Sequence, residues 1–147
     1  MVTNTTVFTD SWNQLYTIIS ANTTDPTSKS KWIYSSFPDA THLTKADYPL
    51  IVINPIGSNT SETVVFNRDI KIFPLRVEIE IYSTSASQID SITDDLFDAI
   101  ESNISTLEAQ ELHNFELSNS DSDTVFRGKT RVHLKRIDWD FEYHRVA

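Results

Sequence analysis

Cysteine is absent from the 147 residues. That excludes disulfide frameworks, thiolate metal sites and thiol nucleophiles, and leaves the redox compartment open. Glycine occurs only twice, as Gly57 and Gly128, so glycine-rich loops that wrap a phosphate cannot be built. Cations are scarce too: 12 lysines and arginines against 21 acids give a net charge of −9. Adhesion to free duplex DNA or to an anionic membrane needs clustered cations, which argues against both; a polyanion passing nearby without adhering is compatible. No apolar run approaches the roughly 20 residues of a membrane span. The opening "MVTNTTVFTD" has neither the basic start nor the apolar centre of a signal peptide, so a cytoplasmic product is expected. Asn4, Asn22, Asn59 and Asn103 stand in glycosylation sequons, which chance supplies in a chain this rich in Asn, Ser and Thr.

What is present suffices for one apolar core. Hydrophobic residues make up 39% of the chain and aromatics 11%, with Trp12, Trp32 and Trp139 as large anchors. A single domain over 1–147 is expected, with 1–8 as a flexible N-terminal tail. Thr9 or Asp10 can cap a first helix, on which Trp12, Leu15, Tyr16 and Ile19 share a face broadened by Ile18. "NTTDPTSKS" is a loop by composition. "KWIYSS" reads as a short strand, and Leu50-Ile51-Val52-Ile53 as a strand covered on both faces and ended by Pro55 and Gly57. "ETVVFNRDIKIF" fits a further strand or an extended arm. Leu75, Val77, Ile79 and Ile81 then alternate with Arg76, Glu78, Glu80 and Tyr82 without a fault, the mark of a strand with one core face.

After a turn at Ser83 to Ser87, Ser87 and Asp90 resemble a capping box. Ile89, Ile92, Leu96, Phe97 and Ile100 form the apolar stripe of the helix that follows, with Asp90, Asp94, Asp95 and Asp98 elsewhere; the first acids are expected near the positive end of its dipole. Leu107, Leu112, Phe115 and Leu117 suggest a strand into a polar tip, "SNSDSD", from which a long strand returns at Thr124. Its inward set changes parity, from Val132 and Leu134 to Ile137, Trp139, Phe141 and Tyr143. That predicts a bulge or break near Lys135-Arg136. The fold class expected is α+β, a mostly antiparallel sheet with two main helices packed on one face.

Chemistry-bearing patterns are missing. His42, His113, His133 and His144 are scattered, with no i, i+4 pair for a helical metal site. Asn119, Asp121 and Asp123 alternate like a calcium loop but lack its turn glycine and bidentate Glu, so a solvated hairpin tip is the simpler reading. Asp94, Asp95 and Asp98 could pair for acid–base work, yet helix electrostatics and solubility account for them. No serine lies in a nucleophile elbow. No catalytic residue, metal site or cofactor is therefore assigned, and an enzyme is not expected. The strip Arg76, Glu78 and Glu80 is either a plain solvated sheet face or a subunit interface or channel wall.

An N-terminal amphipathic helix, an apolar strand ending in "INPIG", the run "FPLRVEIEIYSTS" leading into "QIDSITDDLFDAI", and a closing "RVHLKRIDWDFEYHR" follow in order. Over roughly Asp10 to Arg145 this pattern resembles the tail terminator and tail completion proteins of long-tailed phages and tailed archaeal viruses. The resemblance rests on element order, not on a catalytic signature. It implies a virion protein of the tail or neck, assembled in the host cytoplasm as a homo-oligomeric, sixfold ring. Such a ring caps the tail tube, meets the head–tail connector, and passes DNA through its lumen without specific binding. On that reading Arg76, Glu78 and Glu80 face the lumen or a neighbouring subunit. Loops within 54–68, with Asn59 and Arg68, and the tip Asn119, Asp121 and Asp123 contact adjacent rings. A connector adaptor or stopper, a tube subunit, a small cytoplasmic enzyme or ligand-binding domain, and a host interaction module are the alternatives.

Overall fold

The computed structural model describes residues 2–3, 5–39, 43–58 and 70–146. Elements run in the order α1 (Val7–Asn22), β1 (Ile33–Tyr34), β2 (Leu50–Ile53), β3 (Gly57–Ser58), β4 (Ile70–Ser83), α2 (Ala86–Glu101), α3 (Ile104–Ala109), β5 (Leu112–Arg127) and β6 (Thr130–Val146). The strands form one sheet in the order β1-β2-β4-β6-β5, with β3 also pairing β4. Among the described residues only β1 and β2 run parallel; the other pairs are antiparallel. This is the expected α+β architecture. The odd-numbered side chains of β4, Leu75 to Ile81, join Ile137, Trp139, Phe141 and Tyr143 of β6 under Leu15, Ile19, Ile92, Leu96 and Ile100 of the two long helices. Both helices therefore cover one face, and all of β2 is buried.

Local signals placed most elements, with differences that have physical causes. Helix α1 starts at Val7, ahead of the expected cap, because Thr6 takes the N-cap position and its hydroxyl bonds the Asp10 carboxylate. Residues expected in a flexible tail belong to the core instead: Val2 and Val7 are buried, and the Val2 amide donates to Gln110 Oε1 at 3.2 Å. On α1 the buried stripe is Ser11, Leu15, Ile18 and Ile19. Trp12 sits at its edge, donating Nε1 to the Ile53 carbonyl at 2.8 Å, and the half-exposed Tyr16 stacks on it. Helix α2 is capped by Ser85, whose Oγ accepts from the Gln88 amide, so it begins before the expected Ser87. No acid then falls in its first turn, and the dipole does not account for its aspartates. The short α3 holds Leu107, expected in a strand.

Two expectations for the long hairpin are corrected. Its turn is Gly128-Lys129, between the paired Arg127 and Thr130, and not the polar run Asn119 to Asp123, which lies within β5. Gly128 has φ 65°, the left-handed conformation that a two-residue hairpin turn requires at that position. No bulge interrupts β6 at Lys135-Arg136: its pairing with β4 runs unbroken from His133 to Val146. The parity change reflects a second core. Val132 and Leu134 point to the opposite sheet face, where Tyr48, Leu50, Val52 and Tyr82 pack with Phe37 and Leu43. The register shifts fall in β5 instead, between His113 and Glu116 and between Leu117 and Asn119.

Candidate functional site

Alternation along β4 sends Arg76, Glu78 and Glu80 to the face away from α1 and α2, and the register with β6 and β5 builds rows across it. Arg76 lies opposite Asp140, and Asp140 opposite Glu116. Glu78 lies opposite Asp138, and Asp138 opposite Asn119. Glu80 lies opposite Arg136, and Arg136 opposite Asp121. A fourth row joins Tyr82, Leu134 and Asp123. The residues expected as a strip on one strand and as a loop far along the chain thus share one sheet face. Asn59 and Arg68 lie outside the described residues.

The rows differ in electrostatics. Arg76 Nε donates to Asp140 Oδ1 at 2.8 Å, a partly exposed pair. In the next row two acids face each other, and Asp138 Oδ1 is buried without a hydrogen-bond partner among the described residues. Burial first, then Glu80 and the charge of Asp138, push the Glu78 carboxyl from its ordinary 4.5 up to about 7. Glu80 goes the other way. Burial would raise it, but the hydroxyl of Tyr82, the amide of Asn54, Glu78 and the Arg136 charge together hold it low. Asn54 Nδ2 donates to Glu80 Oε1 at 2.9 Å. The two neighbouring carboxyls are thus pushed apart, Glu78 towards its protonated form and Glu80 towards its ionised one.

From Glu80 the network continues into the second core. Tyr82 donates its hydroxyl to Glu80, and burial together with that bond pushes the phenol up to about 12. Arg127 Nη2 donates to the same oxygen at 3.1 Å, while its guanidinium lies 4.6 Å over the Phe37 ring. An arginine near the hairpin end is thereby locked to the middle of the sheet. At the opposite end of β5, His113 and His144 stack at 4.3 Å, each beside a carboxylate, Glu111 and Glu142. Sequence reasoning missed both groupings, because each joins positions separated by long chain segments.

Chemically this face can hold a proton near neutral pH and present carboxylates to a broad surface. Arg76 is exposed, whereas Glu78 and Glu80 are half-buried. A groove of about 330 Å³ lies elsewhere, between α1 and the end of β2, lined by Phe8, Trp12, Pro55 and Ile56 among others. Among the described residues no group of three or more His, Asp or Glu is placed to hold a metal ion, and no helix is long and apolar enough to cross a membrane.

The sequence matches no family model and no curated protein. A solved structure does share the fold: a chain of the virion of a native gene transfer agent (GTA) particle, with a TM-score of 0.55 and 10% identity. The likeness spans 90% of this chain and 92% of that one, so the whole architecture is common to both.

Proposed function

We propose that this protein is a structural subunit of a tailed virus-like particle, and within it a tail terminator: a ring that caps the tail tube and offers the docking surface for the head–tail connector. The observation that carries the reading is the fold likeness over nearly the whole of both chains to a component of a gene transfer agent virion. The element order of the sequence points to the same class independently. The physics agrees with an assembling part. Strand β5 leaves a 16-residue edge with no partner strand among the described residues, and such an edge is an association hazard unless a neighbour covers it. The carboxylate face is acidic, suited to a wall past which a polyanion slides without adhering. The work proposed is assembly and not catalysis.

Two measurements test this. Light scattering at several protein concentrations should show a closed oligomer, alone or on a tail template. Mixed with the tube subunit of the same particle, the protein should arrest tubes at short length and remain at one end. Tubes that lengthen with added protein would identify a tube subunit. Binding to the connector ring with no effect on tubes would identify an adaptor or stopper.

A further inference from the structure

The two signs of charge are segregated along this chain. No lysine or arginine lies between Arg76 and Arg127, and then Arg127, Lys129, Arg131, Lys135 and Arg136 follow within one hairpin. Three of these five are engaged inside the subunit. Arg127 bonds Tyr82, Lys135 pairs with Asp90 at 3.4 Å, and Arg136 reaches Asp121 at 3.8 Å. Lys129 and Arg131 are exposed and have no ion pair among the described residues. Beside them stands Phe126, 70% exposed and the cross-strand partner of Arg131. The hairpin end is thus an aromatic flanked by two unengaged cations, on a subunit that is otherwise strongly acidic.

The complementary surface is on the same chain. On α2, Asp94, Asp98 and Glu101 recur at four- and three-residue steps with Asp95 alongside, all exposed and none in an ion pair among the described residues. Within the subunit the Ser102 hydroxyl donates to Asp98 Oδ1 at 3.2 Å, but no cation among the described residues offsets the charge of the stripe. It occupies the second half of the helix, where the dipole disfavours negative charge, and Asp94 and Asp98 repel as an i, i+4 pair. The subunit's own hairpin reaches only Asp90. At 1.5 Å per residue, Glu101 lies roughly 16 Å further along the helix axis, out of range of those side chains.

We propose that the hairpin end of one copy, Phe126, Lys129 and Arg131, docks on the acidic outer face of α2 in the next copy. Two unlike patches on one chain make a head-to-tail contact, the kind that closes into a ring. The cations neutralise the stripe, and Phe126 loses its exposed ring to the interface. This deepens the ring reading and rests on it.

Charge exchange tests the contact. The double variant Lys129→Glu, Arg131→Glu should weaken self-association at least about tenfold, as should Asp94→Lys, Asp98→Lys. Every change is at an exposed position, and circular dichroism would check that each variant is folded. Mixed in equal amounts, the two variants should reassemble, because each acidic hairpin then meets a basic helix and each basic hairpin an acidic one. Sedimentation velocity of the full chain reads all arms. If wild type assembles while both variants assemble equally well, or while their mixture stays dissociated, the contact is wrong and the ring stands. If only the hairpin variant fails, and the mixture with it, the cations face a different partner and the proposal is overturned. A wild type that never associates, alone or on tail tubes, overturns the ring reading itself and this contact with it.

Discussion

At the scale of single residues, Glu78 makes the clearest thermodynamic statement. Its folded carboxyl titrates near 7 against an ordinary 4.5, because burial and the neighbouring Glu80 and Asp138 disfavour its charge. Relative to the unfolded chain the native state holds this proton more tightly. The stabilisation is therefore complete below the unfolded value and is lost as pH rises from about 4.5 to about 7. Glu80 and Glu142 have lowered values, so their contributions disappear only when pH falls further. Glu78→Gln fixes the neutral state. Thermal melts should show it matching wild type near about pH 4 and exceeding it near about pH 8, by on the order of 1 kcal/mol once solvent screening is allowed for. A variant that is equally destabilised at both pH values would show that the carboxyl is needed for its shape and not its proton.

At the scale of elements, α2 carries an internal contradiction. Its inner stripe of Ile89, Ile92, Leu96 and Ile100 is buried and its Ser85 cap is in place, yet its last turn has no basic residue and ends in Asp98 and Glu101. Acids there oppose the dipole by roughly 0.3–1 kcal/mol each. Asp98→Asn with Glu101→Gln should accordingly stabilise the free subunit in urea unfolding, at concentrations where it is monomeric, while weakening assembly. Loss of monomer stability would mean that these acids serve the fold. The helix itself was legible because its apolar period is local. So were β2, a continuous apolar run, and β4, with its faultless alternation. The hairpin was misread for an equally physical reason. The polar run Asn119 to Asp123 looks like a turn by composition, but it lies in a strand whose exposure needs no apolar residue, and a single glycine at φ 65° makes the real turn. The parity change in β6 signalled a second core to which Phe37 and Leu43, distant in sequence, contribute. For the candidate site, β4 alternation exposed half of the rows, whereas Asp138, Arg136 and Asp121 depended on register across three strands.

At the scale of the whole molecule, two electrostatic effects of different range compete. Each subunit carries −9, and identical subunits repel over distances comparable to their own size. The proposed contact pairs Lys129 and Arg131 with carboxylates at side-chain range. Salt separates the two. At about 0.01 M the Debye length is roughly 30 Å, so repulsion between entire subunits acts almost unscreened. At about 0.1 M it falls to roughly 10 Å, which removes most of that repulsion but leaves close pairs attractive. At about 1 M, with a length near 3 Å, the pairs weaken as well. Self-association should therefore pass through a maximum at intermediate ionic strength, measured by sedimentation velocity across a salt series. The Lys129→Glu, Arg131→Glu variant removes the attractive part, so its association should only rise with salt. A wild type that also strengthens steadily up to about 1 M would place the driving force in apolar surface, with the groove beside Phe8 and Trp12 as the contact to examine next.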